Sequence, residues 1–298
     1  VLEVTSLTRA FGDHVAIADI SLRVADGELV TIVGPSGCGK STLLRCVAGL
    51  LPPTTGQVLL NGAAVTRVPD RLAVVFQDYS RSLYPWLSVA ANVELPLRRT
   101  GRNQPARTRA VSAKKASAKT LRRQAAHDAL EAVGLATFAD RYPWQLSGGM
   151  QQRVAIARAL ACDPVLLLMD EPFGAVDAQT REDLEDLVLR VRERRRITTL
   201  LVTHDIDESV YVGDRVIVLS HGPGRVLAEV TVDLPAPRDQ ITTRELRDFA
   251  RLRAEVGRLV RGNPRPGAQS AMPPAPPQQS AMPPAPLPLA YPLEGEAS

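Results

Sequence analysis

The run Gly34-Pro35-Ser36-Gly37-Cys38-Gly39-Lys40-Ser41 constrains this chain more than any other part of it. A mostly apolar stretch, Glu28-Leu29-Val30-Thr31-Ile32-Val33, leads into it, and a helical stretch from Thr42 to Ala48 leads out. A strand that meets glycines and then a helix turns its backbone so that successive N–H groups face inward, where phosphate oxygens fit. The helix adds its own free N–H groups and its dipole to the same anion. Gly34, Ser36, Gly37, Cys38, Gly39 and Thr42 are therefore candidate nucleotide contacts. Lys40 brings a cation to β- and γ-phosphates, where it also stabilises the transferring group, and Ser41 brings a hydroxyl to Mg²⁺. Alone, the pattern could be a glycine-rich turn with an incidental lysine.

A second element narrows the choice. Val165-Leu166-Leu167-Leu168-Met169 is apolar throughout, as a strand buried on both faces of a parallel sheet must be, and it ends in Asp170-Glu171. An Asp at such a strand end can hold Mg²⁺, and the adjacent Glu can act as general base on water. Elsewhere strands and helices alternate. Residues 180–196 form an amphipathic helix with acids in its first turns and arginines in its last, 197–203 and 215–219 read as buried strands, and Thr242 with Glu245 reads as a capping box for a last helix near 243–259. This alternation predicts an α/β fold with a largely parallel sheet.

The stretch Leu146-Ser147-Gly148-Gly149-Met150-Gln151-Gln152-Arg153 carries a resemblance. With the two elements above, it makes the chain similar to the ATP-binding subunits of ABC transporters. That family implies a P-loop NTPase (RecA-like) core with an antiparallel β subdomain and an inserted α-helical signature subdomain. Ser147 is also read directly as a helix N-cap. By resemblance, Ser147, Gly148, Gly149 and Gln151 meet the ATP bound by a second subunit paired head to tail. Phe11 sits where the family stacks an aromatic on adenine, although a lone Phe is as readily core. Gln77 matches the family's Mg²⁺ and water contact, Asp177 its dimer-crossing loop, and His204 its γ-phosphate switch. Val176 stands where Leu is commoner.

A finer resemblance, to nitrate, sulfonate and taurine importer ATPases, rests on Phe76 to Leu87, Asn92 to Pro96 and Met169 to Gly174. It implies transmembrane permease subunits, indirectly an extracytoplasmic solute-binding protein, and a peripheral location on the cytoplasmic face of the inner membrane. Tyr84, Pro85 and Trp86 either meet the permease or pack the subdomain.

A net charge of +4 raises the question of nucleic acid. Ten Lys or Arg and no acid lie between Arg98 and Arg123, so the rest of the chain carries −6 and no nucleic-acid partner is expected. A soluble ABC ATPase acting on nucleic acid or ribosomes is the alternative; such proteins usually carry a coiled-coil insertion or tandem cassettes. The stretch 103–120 reads as a basic low-complexity insertion, a solvated loop or a contact for anionic lipid. The organisation expected is an ATPase domain over 1–235 with a helical subdomain about 83–160, a helical extension over 236–262 and a disordered Pro-rich tail over 263–298. Cys38, Cys46 and Cys162 make no disulfide framework, and the absence of a leader pattern predicts the cytosol.

Overall fold

The computed structural model describes residues 2–78, 82–99, 118–174 and 176–262. The chain opens with strands β1 (Leu2–Phe11), β2 (His14–Val24) and β3 (Leu29–Val33). Helix α1 (Lys40–Val47) follows the glycine loop, and β4 (Thr55–Leu60) and β5 (Ala63–Ala64) form a hairpin across Asn61-Gly62. After β6 (Leu72–Val75) come three helices, α2 (Val89–Arg99), α3 (Ala118–Ala132) and α4 (Gly148–Ala161). Then β7 (Leu166–Asp170), α5 (Ala178–Arg195), β8 (Thr198–Val202), α6 (Ile206–Val212), β9 (Arg215–Leu219) and β10 (Val226–Thr231) complete the alternation. Helices α7 (Thr242–Glu245) and α8 (Arg247–Arg261) close the described chain.

The strands divide into two sheets. An antiparallel sheet runs β2-β1-β4-β5, and a six-stranded sheet runs β10-β9-β3-β8-β7-β6, parallel except for β10 at its edge. In the second sheet β8 lies between β3 and β7, with Ile32 and Asp170 both paired to Val202. The carboxyl ends of β3, β7 and β8 therefore finish side by side, where ligands bind in open α/β sheets.

The central strands are apolar on both faces because both faces are covered. Val30, Ile32, Leu166, Leu168, Leu200 and Val202 belong to one core with α1 and the antiparallel sheet, through Leu2, Ile17 and Leu44. Their neighbours Leu29, Val33, Leu167, Met169 and Leu201 belong to the other, with Val154, Ile156, Leu187, Tyr211 and Leu252 from the helices. A strand period of two sends alternate residues to opposite sides, so continuous apolar runs serve two cores at once.

The α/β architecture expected from the sequence is present. Ser147 caps α4, its Oγ accepting from Met150 N at 3.3 Å. One local expectation is overturned. Thr242 does not cap the last helix, because Asp239 supplies the carboxylate first. Asp239 Oδ1 accepts from Ile241 N, Thr242 N and Thr242 Oγ1 at 2.9–3.1 Å, and those bonds hold its pKa below the usual carboxylate range. Thr242 thus opens the one-turn α7, an extended Leu246 intervenes, and the long helix starts at Arg247. The basic stretch 103–120 lies outside the described residues, apart from Ala118–Thr120, which open α3; the tail 263–298 lies outside them altogether. Among the described residues no helix is long and apolar enough to cross a membrane.

Candidate functional site

The glycine loop joins β3 to α1, and its geometry requires glycine at two points. Gly37 has φ +79° and Gly39 φ +95°. A Cβ on Gly39 would stand 2.4 Å from Ile17 Cγ2 and 2.7 Å from Ala16 O, so the loop lies directly on β2. No side chain caps α1 and no acid occupies its first turn, so its leading N–H groups remain available to an anion. The α6 terminus differs: Asp205 caps it, with Asp207 and Glu208 in its first turn. Lys40 is buried, its Nζ donating to Gly34 O at 2.8 Å and Pro35 O at 3.1 Å. Cys38 does not reach the cavity with its side chain. Its thiol packs in the core, burial pushes its pKa up, and its N–H donates to Pro35 O.

The strand ends supply the acids. Ser41 Oγ donates to Asp170 Oδ1 at 3.0 Å, which joins the start of α1 to the end of β7. Burial pushes the Asp170 carboxyl up, and the Ser41 bond offsets part of that. Glu171 then departs from the strand with φ +45°, an uncommon conformation for a non-glycine residue, fixed by its N–H to Val202 O at 2.8 Å. The turn brings its carboxylate to two other strand ends. Glu171 Oε2 accepts from Gln77 Nε2 at 2.9 Å and lies 3.3 Å from His204 Nδ1. Gln77 follows β6 and His204 follows β8, so three consecutive strands of the sheet contribute to one cluster.

The Asp170 charge has a testable consequence for stability. A carboxylate whose folded pKa is raised opposes folding once ionised; that penalty is full above the folded value, fades as pH falls through it and is gone below the unfolded value. Asp170→Asn keeps an acceptor for Ser41 without the charge. Without divalent metal it is expected to raise stability at neutral pH by about 0.5–2 kcal/mol. The gap from the parent should close on acidification, as thermal unfolding at several pH values would report.

A cavity of about 370 Å³ lies over the loop, lined by residues including Phe11, His14, Ser36, Lys40, Thr42 and Glu171. Phe11 ends β1 and is 46% exposed, and the Arg9 guanidinium stands 4.6 Å from its ring centroid. A larger groove of about 710 Å³ lies elsewhere, and its Arg192 and Asp214 pair with each other.

Ser147, Gly148, Gly149, Gln151 and Asp177 do not line the cavity over the glycine loop. Gly149 has a packing reason to be glycine, since a Cβ there would stand 2.2 Å from Thr180 Cγ2. Thr180 in turn is held by Asp177, which caps α5 through Thr180 N at 3.0 Å. Gln151 Nε2 donates to Pro143 O and Leu146 O, tying α4 to the turn before it. These residues thus form a second constellation, at the α4 and α5 N-termini.

Three polar residues that the motif reading left without a role prove structurally important. Gln152 is fully buried and donates to Pro172 O at 2.6 Å, linking α4 to the segment after Glu171. Arg158 donates to Ser82 O. Asn92, fully buried, accepts from Tyr84 N and donates to the carbonyls of Tyr84, Leu87 and Ser88, so it fixes the loop bearing Tyr84 and Trp86. The available signal was a polar residue on an otherwise apolar helix face.

A family model described as ABC transporter matches residues 17–174. An aliphatic sulfonates import ATP-binding protein of Burkholderia cenocepacia is 46% identical over 240 residues, 80% of this chain and 81% of that protein. A nitrate import ATP-binding protein of Synechocystis sp. is 41% identical over 270 residues, 88% of this chain and 95% of that protein. The dimeric post-hydrolysis structure of the ATP-binding cassette MJ0796, bound to ADP and phosphate, superposes with a TM-score of 0.63 at 34% identity, covering 78% of this chain and 99% of that one.

Proposed function

The chain belongs to the ABC transporter ATPase family, and from that premise we propose that it powers an importer for a small oxyanion such as a sulfonate or nitrate. The observation that carries the reading is the cluster of Lys40, Ser41, Asp170, Glu171, Gln77 and His204 at the aligned strand ends over the glycine loop. The loop and Lys40 hold the β- and γ-phosphates of ATP, with Phe11 against the base. Ser41, Asp170 and Gln77 form an all-oxygen donor set of the kind Mg²⁺ takes, and the buried Asp170 charge is of the sign a cation relieves. A Mg²⁺ held there would supply charge neutralisation to the phosphates. Glu171 takes the proton of the attacking water, while Gln77 and His204 hold its carboxylate in line.

The second constellation supports a paired arrangement. Ser147, Gly148, Gly149 and Gln151 sit at a helix N-terminus with no acid in its first turn, apart from the chain's own cavity. In a head-to-tail pair they contact the γ-phosphate held by the other subunit, and Asp177 lies at the interface. ATP binding then closes the dimer and hydrolysis opens it.

The permease contact is the aromatic loop that Asn92 holds. Trp86 is 70% exposed and stacks edge-on against Tyr84. Val89 N, just past that loop, donates to Arg141 O, and Tyr142 and Trp144, which follow Arg141, form a second exposed stacked pair. In this reading the chain works peripherally at the cytoplasmic membrane face, and an extracytoplasmic binding protein delivers solute to the permease. Reconstitution with the permease tests the whole reading: sulfonate or nitrate should stimulate ATPase activity and accumulate in vesicles. Trp86→Ala should weaken assembly by about 2 kcal/mol or more, roughly thirtyfold. An unchanged affinity in a binding titration rejects this contact, and ATPase activity indifferent to any solute rejects the importer.

A further inference from the structure

His204 is well exposed, yet its imidazole must stay within reach of Glu171. The residues on either side of it show how it is held. Thr203 is buried, and its N–H donates to Ile32 O at 3.0 Å on the strand that feeds the glycine loop. The Thr203 hydroxyl accepts from Asp205 N at 3.0 Å and donates to Glu208 Oε2 at 3.1 Å. One hydroxyl therefore clasps the backbone on the far side of His204, and Glu208 fixes that hydroxyl from beneath. Asp205 is held as well, capping α6 through Asp207 N and Glu208 N and pairing with Arg181 at 3.5 Å.

Glu208 is a costly residue for that place. It is nine-tenths buried or more, and its Oε1 has no hydrogen-bond partner among the described residues. An unpartnered buried carboxylate oxygen is unfavourable, so its retention calls for an explanation. Burial pushes its carboxyl well above the usual range. Glu185 and Asp205 push the same way, against Thr203 and Arg181.

We propose that Glu208 is a positioning residue for ATP hydrolysis, acting through Thr203 to hold the loop that presents His204 to Glu171. It touches neither nucleotide nor water. The inference rests on the role given to His204 above, and the experiment separates the two. The full chain, assembled with its permease, is assayed for ATPase kcat and KM. Glu208→Ala is expected to lower kcat about tenfold with KM for ATP within about twofold. Thr203→Val should do the same, and it carries the test if Glu208→Ala does not fold. Glu208→Gln, which keeps an acceptor for Thr203 and resembles the protonated acid, should recover kcat to within about threefold of the parent.

The deciding readout is a double-mutant cycle. In a His204→Ala background, Glu208→Ala should cost less than about twofold, because the group it positions is gone. Equal losses with and without His204 overturn the inference, since a merely structural role predicts that result. A loss at His204→Ala with none at Glu208→Ala overturns it alone. No loss at His204→Ala overturns the role of His204 and this inference together.

Discussion

Glu171→Gln is expected to keep ATP binding and abolish turnover, trapping a closed dimer. The amide is nearly isosteric and can still engage Gln77 and His204, which meet the carboxylate at 2.9 and 3.3 Å. What it loses is the basic oxygen that takes the proton of water. Removing a positioned general base costs on the order of 10²–10⁴ in rate. Binding should hardly change, because the proposed phosphate contacts come from Lys40, the loop and α1. The measurement is phosphate release beside a sizing experiment with and without ATP. Parent-level phosphate release from the purified variant would remove Glu171 from the mechanism.

Gly39→Ala is expected to be nearly as damaging by a different route. The substitution adds one methyl group where φ is +95° and where Ile17 Cγ2 and Ala16 O stand 2.4 and 2.7 Å away. The left-handed backbone costs about 1–2 kcal/mol for a side chain, and overpacking against β2 adds about 1–3 kcal/mol. The backbone of β2 cannot retreat cheaply, since Ala16 O also accepts from Gly224 N at 3.0 Å. The loop must therefore move, and its N–H groups lose their common focus. ATP affinity should fall by about a hundredfold or more, together with a lower melting temperature. A variant that binds ATP like the parent would show that the loop is softer than its packing implies.

Legibility from the sequence followed how local each feature is. The glycine loop, Asp170-Glu171 and the Ser147 cap each sit within a few residues of their physical cause, so pattern alone revealed them. The clustering of Gln77, Glu171 and His204 was reached only through family resemblance, because it depends on β6, β7 and β8 lying adjacent in the sheet. The positive φ at Glu171 had no signal at all, since Glu is not a residue that favours it. The cap at Asp239 was misassigned to Thr242 because both side chains can accept from nearby N–H groups, and only the fold decides between them. The Thr203–Glu208 bond was illegible for another reason. A Glu early in a helix reads as a favourable charge near the dipole, and nothing in the sequence says that this one points inward.

The bond from Gln152 to Pro172 O has a consequence for how two such chains cooperate. Gln152 stands five residues beyond the Ser147 cap, and Pro172 directly follows Glu171. The surface that a chain of the proposed pair would lend to its neighbour and the acid beside that chain's own cavity are thus fastened by one buried amide. With Gly149 pressed on Thr180, the lent surface has little freedom to shift alone. In the proposed head-to-tail pair, a chain whose α4 start shifts on the neighbour's nucleotide would therefore pull on the segment beside its own Glu171, so the two sites would work as a shared mechanism rather than as two engines running side by side.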